Sequence, residues 1–431
     1  MYKFRDPVHG FVDVSEDELK IINSSPFQRL RNIRQLATTY LVYHGAEHTR
    51  FGHSIGVMHL TSRVFDSITE KCPNLFSENE EENRFKIARY RQLLRLIGLT
   101  HDLGHAPFSH ASEDLFEDGK KHEDYTKLIL LNTEIADHIN AIGEKFKSEY
   151  GDAYEITPEL VWMIYEGKDI TNEKFILPDF LFLKGFMDGE LDCDKMDYLL
   201  RDSLYCGVTY GRYDLDRFVS TLTAYKKDNM IQLAIERGGI QSLEEFVLAR
   251  YFMFIQVYFH KTRRFLDKAL VKSLKAILPG GKYPADLLDY LKWDDTRVIS
   301  LIAESNAPDV VAFKNREIMS CVMESKAHSG KDGKLSSRLI FKNLEADYGE
   351  QVLYDSVDKA AHQLTPFLLS PTDDSGKGIM IFEGKTGDVK NIMEESIILN
   401  SIVDPIKINR IYAARSVADE VRKKINELQS E

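Results

Sequence analysis

Only four cysteines occur in the 431 residues, Cys72, Cys193, Cys206 and Cys321, and none forms a CxxC pair. Such sparse spacing argues against a disulfide framework and reads as reduced thiols in a cytoplasmic protein. Long apolar runs are missing too: no window approaches the ~18 uncharged apolar residues that span a bilayer, so no membrane partner is expected. The opening MYKFRDPVHG lacks the apolar stretch of a secretory signal. Positive charge is in deficit, with 56 Lys and Arg against 68 Asp and Glu, a net charge of -12. Bulk nucleic acid is therefore an unfavourable partner, and any phosphate chemistry needs locally gathered cations. What is present is ordinary for a globular chain: 43% hydrophobic and 29% charged residues, with 24 Phe and 20 Tyr to fill a core.

Apolar residues recur at helical spacing through most of the chain. Leu19 and Ile22, then Phe27, Leu30, Ile33 and Leu36, mark 16–38, where Pro26 suits the first turn of a second helix. The stretches 53–72, 84–104, 122–146, 158–167, 189–203, 216–226 and 240–275 also predict helices. The last third differs. Two β-prone runs flank Lys385-Thr386-Gly387-Asp388, a plausible hairpin turn, and Ile406–Tyr412 predicts another strand before an amphipathic helix over Ser416–Leu428. The expected organisation is a predominantly α-helical domain over 1–275 and a smaller α+β appendage over 276–431, divided near Leu278-Pro279-Gly280-Gly281. Residues 329–334, Ser-Gly-Lys-Asp-Gly-Lys, read as a surface loop.

Histidines and carboxylates gather in three short windows. LTHDLGHAPFSH (99–110) places His101 beside Asp102, with His105 one turn later and His110 at its end. On a continuous helix Asp102 would point about 100° away from His101. Gly104 and Pro107 make a helix end here plausible, which would let both reach one ion. EHTRFGHSIGVMHL (47–60) supplies His48, Arg50, His53 and His59. LDCDKMDYLLRDS (191–203) carries Asp194, Lys195, Asp197, Tyr198, Arg201 and Asp202 among Leu191, Met196, Leu199 and Leu200. A charged run is usually a solvated face. Here the interleaved apolar residues push some charges toward the core, where a carboxylate needs a partner such as a metal.

His53, His101-Asp102 and Asp194 together resemble the H…HD…D signature of the HD superfamily of phosphohydrolases. DPVHG (6–10), PFQRLRNIRQL (26–36), HTRFGHSIGV (48–57), HDLGHAPFSH (101–110) and DKMDYLLRD (194–202) are similar, in order, to motifs of one branch, the dGTPase-like and SAM-and-HD-domain deoxynucleoside triphosphate triphosphohydrolases. The resemblance spans about residues 2–275. It implies one divalent metal held by His53, His101, Asp102 and Asp194. That mixed N/O set suits Mn, Fe, Co, Ni or Zn, and Mg less naturally. The reaction implied is cleavage of a dNTP at the α-phosphorus to deoxynucleoside and triphosphate. His105 and His122 would then handle protons, with Glu123 and Glu113 orienting imidazoles. Arg50, Lys195, Arg250 and Lys261 would meet the triphosphate, and His110 a phosphate or the sugar. Gln35, Tyr198, Asp202 and Tyr258 would surround the deoxyribose.

Two departures from the family pattern stand out. At the matching position of an activating-nucleotide site near Gln28 and Arg31, an acidic residue of some relatives is here Asn23, whose amide cannot form the charge-assisted pair with guanine. After Tyr258, Phe259 replaces a polar residue. Relatives also assemble as dimers or tetramers, so a homo-oligomer is expected. The alternative activities are an HD-type phosphodiesterase or nucleotidase on another phosphate ester, and a nucleotide-sensing or nucleic-acid-binding protein with little turnover.

Overall fold

The computed structural model describes residues 1–167, 178–189, 191–227, 230–328, 330–357, 379–402 and 406–430. Helices dominate, as expected. The chain opens with an antiparallel hairpin, β1 (Tyr2–Asp6) and β2 (Gly10–Val14). Gly10 takes φ +76° where the turn re-enters β2, a conformation that costs glycine little. Ser15 then caps the Glu16–Asn23 helix in a reciprocal capping box with Glu18. Pro26 lies in the first turn of the short Ser25–Gln28 helix that follows.

Two long helices, Arg50–Lys71 and Glu80–Thr100, form the centre, and the Cys193–Cys206 helix packs across the first of them. Val57, Leu60, Val64, Leu93, Leu96, Ile97 and Leu199 lie fully buried between these elements. Close approach rests on a glycine. A Cβ on Gly98 would sit 3.0 Å from the Met58 backbone nitrogen.

The strands assemble into two further sheets. β3 (Leu222–Lys227) and β4 (Met230–Glu236) form a hairpin, and β5 (Ser320–Glu324) and β6 (Val352–Ser356) come later in the chain. They are followed by β7 (Met380–Glu383), β8 (Asp388–Asn391) and β9 (Asn409–Ala413). One sheet has the order β3-β4-β7-β8, the other β5-β9-β6. The expected hairpin at 385–388 is present, with Gly387 at φ +76°. β7 joins β4 in parallel, so this hairpin extends a sheet begun before residue 275. Packing crosses that position again where Ala106, Phe108, Leu115 and Tyr125 meet Leu274, Tyr283, Tyr290, Trp293 and Val310 in one buried cluster.

Several expectations need correction. The stretch 216–226 is helical only over Leu215–Thr221 and then becomes β3, where Ala224 and Tyr225 are buried across from Leu233 and Gln232. The expected single helix 240–275 is two. Ile240–Met253 passes into a π turn at Phe254–Tyr258, and Lys261–Ile277 starts afresh. The 329–334 loop is, from Gly330 on, the start of the Gly330–Tyr348 helix, whose Ile340 and Leu344 bury against β9 and the Ala418–Ser430 helix. Tertiary burial outweighs the poor helix propensity of Gly330 and Gly333. Among the described residues no helix is long and apolar enough to cross a membrane.

Candidate metal centre

The Glu80–Thr100 helix stops at His101, and this end turns both His101 and Asp102 inward. Thr126 Oγ1 ties the end down, donating to the His101 carbonyl while accepting from the Gly104 amide. His53, from the first turns of Arg50–Lys71, meets them. His53 Nε2 lies 3.6 Å from Asp102 Oδ2, and His101 Nε2 lies 3.4 Å from Asp102 Oδ1. Asp194, near the start of the Cys193–Cys206 helix, closes the group from its more open side. Its Oδ1 is 2.9 Å from His53 Nε2 and 3.9 Å from His101 Nε2.

This donor set can hold a divalent metal ion. Both imidazoles have their other nitrogen engaged, His53 Nδ1 on Asp197 Oδ2 at 2.8 Å and His101 Nδ1 on the Gly98 carbonyl at 2.9 Å. Those acceptors fix the tautomer that leaves each Nε2 with a lone pair. Both Nε2 atoms are buried: among the described residues His101 Nε2 has no hydrogen-bond partner, and His53 Nε2 faces only the Asp194 and Asp102 carboxylates. Burial alone would depress the basicity of His53, yet Asp194 and Asp197 raise its pKa to about 10. The position therefore favours a cation, whether a proton or a metal ion. Burial likewise works against ionising Asp102, but Arg50, His101 and His105 hold its carboxyl well below the usual range.

A second group adjoins the first. His105 Nε2 is 3.2 Å from Asp102 Oδ1, and the His105 ring stacks on His122 at 3.9 Å between centroids and 16° between planes. His122 Nδ1 pairs with Glu113 and lies 3.3 Å from Glu123, while the largely exposed His110 sits 3.1 Å from Glu113. Although these nitrogens and the Glu113 carboxylate lie within 4.8 Å of one another, near-parallel rings cannot both aim in-plane lone pairs at one ion. Burial, reinforced by Arg50 and His122, keeps His105 neutral. Burial opposes ionisation of Glu113, but His110 and His122 hold it strongly below its ordinary value.

Other expected residues fall around this core. Arg50 is buried, donating from Nη1 to Asp102 Oδ2 at 2.5 Å and from Nε to Ser109 Oγ at 2.7 Å. Asp202 accepts from Tyr258 Oη at 2.7 Å and pairs with His48 Nε2 at 2.8 Å. The π turn ending at Tyr258 allows that reach; π turns recur at functional sites. Tyr198 packs edge-on to Tyr258 at 6.2 Å, and Arg250 is close enough to oppose the burial that keeps the Tyr198 phenol protonated. The Gln35 backbone N–H donates to the His48 carbonyl, and its buried side-chain Oε1 has no partner among the described residues. Lys195 folds back on Asp192, the cap of its own helix, and donates to the Gly189 carbonyl at 3.2 Å.

Lys261 lies exposed at the first turn of its helix, where its charge adds to burial in depressing the pKa of His260 and reaches Cys321. Asn23, Gln28 and Arg31 share a surface region, where Arg31 donates to Gln28 Oε1 and lies 3.5 Å over the Phe51 ring.

Sequence reasoning gave no role to several residues that support this site. His48 stacks on Tyr205 at 4.6 Å and pairs with Asp202. Asp197 anchors His53, and His9 and Arg201 anchor Asp197. Asp295 accepts the Phe108 amide at 2.8 Å and the Arg34 amide at 3.0 Å. It thereby holds the consecutive left-handed residues Phe108 (φ 60°) and Ser109 (φ 54°) in the loop that carries His110. Only the DPVHG motif and the spacing of Asp197 from Asp194 hinted at any of these.

Comparison with known proteins agrees with the geometry. The HD domain family matches residues 50–177 and the HD associated region matches 213–324. The uncharacterized protein YwfO of Bacillus subtilis is 34% identical over 273 residues, 63% of this chain and 54% of its own length. The deoxynucleoside triphosphate triphosphohydrolase SAMHD1 homolog of Dictyostelium discoideum is 33% identical over 267 residues, 61% of this chain and 46% of its own. The chain thus spans about half the length of the curated relatives it matches. A crystal structure of a hypothetical protein from Aquifex aeolicus superposes with a TM-score of 0.75 at 30% identity, covering 98% of this chain and 99% of that one. With the HD residues converging as described, the chain belongs to the HD superfamily of phosphohydrolases and resembles the SAMHD1-type deoxynucleoside triphosphate triphosphohydrolases.

Proposed function

We propose that this protein is a metal-dependent phosphohydrolase that cleaves deoxynucleoside triphosphates to deoxynucleoside and inorganic triphosphate. The observation that carries the reading is the pair of buried His53 and His101 Nε2 atoms facing Asp102 and Asp194, with the stacked His105–His122 pair beside Asp102. A divalent metal bound there would polarise the phosphoryl group and lower the pKa of a bound water. Similarity to the SAMHD1 enzymes supports the choice of substrate.

The chain's own residues divide the remaining work. Arg50, fixed by Asp102 and Ser109 through Nε and Nη1, keeps its remaining Nη N–H groups for phosphate oxygens. His105 stays neutral, and His122, oriented by ionised Glu113, would give a proton to the departing 5′ oxygen. On the sugar side, Asp202 keeps spare lone pairs for the 3′-hydroxyl after accepting from Tyr258. Tyr258, which burial and Asp202 keep protonated, crowds the space of a 2′-hydroxyl. Arg250 and Lys195 supply further positive charge, and Asn23, Gln28 and Arg31 form the proposed activator region. Relatives also suggest a homo-oligomer.

The test is to incubate the protein, loaded with Mn2+ or in parallel with Mg2+, Fe2+ or Co2+, with each dNTP singly and in mixtures, and to separate products by anion exchange. Deoxynucleoside plus triphosphate, lost in Asp102→Ala, supports the proposal. Monophosphate or orthophosphate as the product overturns it in favour of another phosphate-ester activity.

A further inference from the structure

We propose that His9, on the turn of the N-terminal hairpin, is a positioning residue of the metal centre: it donates from Nε2 to Asp197 Oδ1 at 2.6 Å and so holds the carboxylate that orients His53. The inference rests on the metal reading above and extends the centre to a part of the chain 188 residues from Asp197.

The Asp197 carboxylate can only accept, and it offers about four lone-pair sites. Four N–H groups fill them. Arg201 Nε and His53 Nδ1 donate to Oδ2 at 2.7 and 2.8 Å, and Arg201 Nη2 and His9 Nε2 donate to Oδ1 at 2.8 and 2.6 Å. Each donor thus constrains rotation of the carboxylate, and the His53 ring follows its plane. The hairpin is tied in twice. Asp6 accepts from the Val8 and His9 amides through Oδ1, shaping the turn, and from Arg201 Nη1 at 2.9 Å through Oδ2. Both side chains are almost completely buried, His9 at 1% and Asp197 at 0% exposure, so solvent cannot replace a lost donor.

Removing the His9 donor leaves Asp197 still paired with Arg201, so the fold retains its buried ion pair. What is lost is the fourth restraint on the carboxylate. The turn borders an open cavity of about 520 Å3 with Arg63, Tyr213 and Asp214, and the buried His9 ring packs on His59 at 5.4 Å between centroids, so the metal-free midpoint is read beside the affinity to separate lost packing from a loosened His53.

The test compares His9→Gln, His9→Asn and His9→Phe in the full chain. The readouts are Mn2+ affinity, by competition with a chromophoric chelator, and the thermal midpoint of the metal-stripped protein. Gln can place an amide N–H where Nε2 lies, Asn is one bond too short, and Phe has no donor. Gln should stay within about threefold of wild type in Mn2+ affinity, while Asn and Phe weaken it by about 10- to 100-fold and lower the metal-free midpoint only by the few degrees that one stranded buried acceptor costs. Asn and Phe variants that bind Mn2+ as tightly as wild type overturn the proposal. Should Phe fail to fold, equal affinities for Gln and Asn do so. A wild-type chain that holds no Mn2+ instead overturns the metal reading itself, and this inference with it.

Discussion

Gly56→Ala sets two effects against each other, and the structure decides the sign. In the interior of the Arg50–Lys71 helix, alanine should be better than glycine by about 1 kcal/mol. A Cβ at residue 56, however, would lie 2.0 Å from Asp197 Oδ1, 2.4 Å from Arg201 Nη2 and 2.8 Å from Asp197 Cγ. Neither group can withdraw cheaply, because the carboxylate is held by Arg201, His53 and His9. Disrupting one member of a buried ion pair costs about 3–5 kcal/mol. The net expectation is a loss of about 2–4 kcal/mol, together with weaker metal retention as His53 is displaced. Gly52 provides the control on the same helix. Its added Cβ would meet Arg201 Nη1 at 3.4 Å, an ordinary contact, so Gly52→Ala should be neutral or slightly stabilising. Urea unfolding of the metal-free variants, compared at equal slope, measures both. A Gly56→Ala chain as stable as Gly52→Ala would refute the argument that Asp197 and Arg201 are pinned against this helix.

Asp295→Ala strands the amides of Phe108 and Arg34, which should cost about 2–3 kcal/mol and lower turnover by loosening the His110 loop. Unchanged stability and turnover would remove Asp295 from the account. His59 gives a pH prediction. Burial, then the charges of His9, Arg63 and Arg95, push its pKa down to about 4, with Asp6 opposing. The unfolded chain, with an imidazole pKa of about 6.5, binds more protons between these values, so stability is complete above about pH 6.5 and falls as pH drops toward 4, by at most about 3 kcal/mol. The pH profile of unfolding should flatten in His59→Gln, and an unchanged slope would contradict this. Chelation should lower the thermal midpoint of the metal-loaded protein, by about 2.7 kcal/mol of lost stabilisation where free metal stood at a hundred times its Kd. The same chelation should leave the midpoint of an Asp102→Ala variant unmoved.

The helical class was legible from apolar periodicity, and the convergence of His53, His101 and Asp102 from the family resemblance, with local signals in support. A helix ends near Gly104 and Pro107, and apolar residues flank the charges of 191–203. The turn at Lys385–Asp388 was legible locally, since Gly387 marks it. What was not legible depends on distant partners. Asp295 gains its role from Phe108, 187 residues away, and His9 from Asp197. β3 looked helical because its strand character comes from pairing with β4 and, through it, with β7. The π turn before Tyr258 leaves no mark in a stretch as uniformly apolar as Phe-Met-Phe-Ile-Gln-Val-Tyr-Phe. Lys261, grouped with the triphosphate cations under the family resemblance, opens a new helix and lies exposed beside His260.

The most direct test of the central claim is metal content by elemental mass spectrometry, after Mn2+ loading and exhaustive dialysis, for wild type and for His53→Ala, His101→Ala, Asp102→Ala and Asp194→Ala. The account predicts about one ion per wild-type chain, and near-total loss on removing either imidazole nitrogen that faces the site. Equal metal content in wild type and all four variants would contradict it, and would place the ion away from the H…HD…D residues.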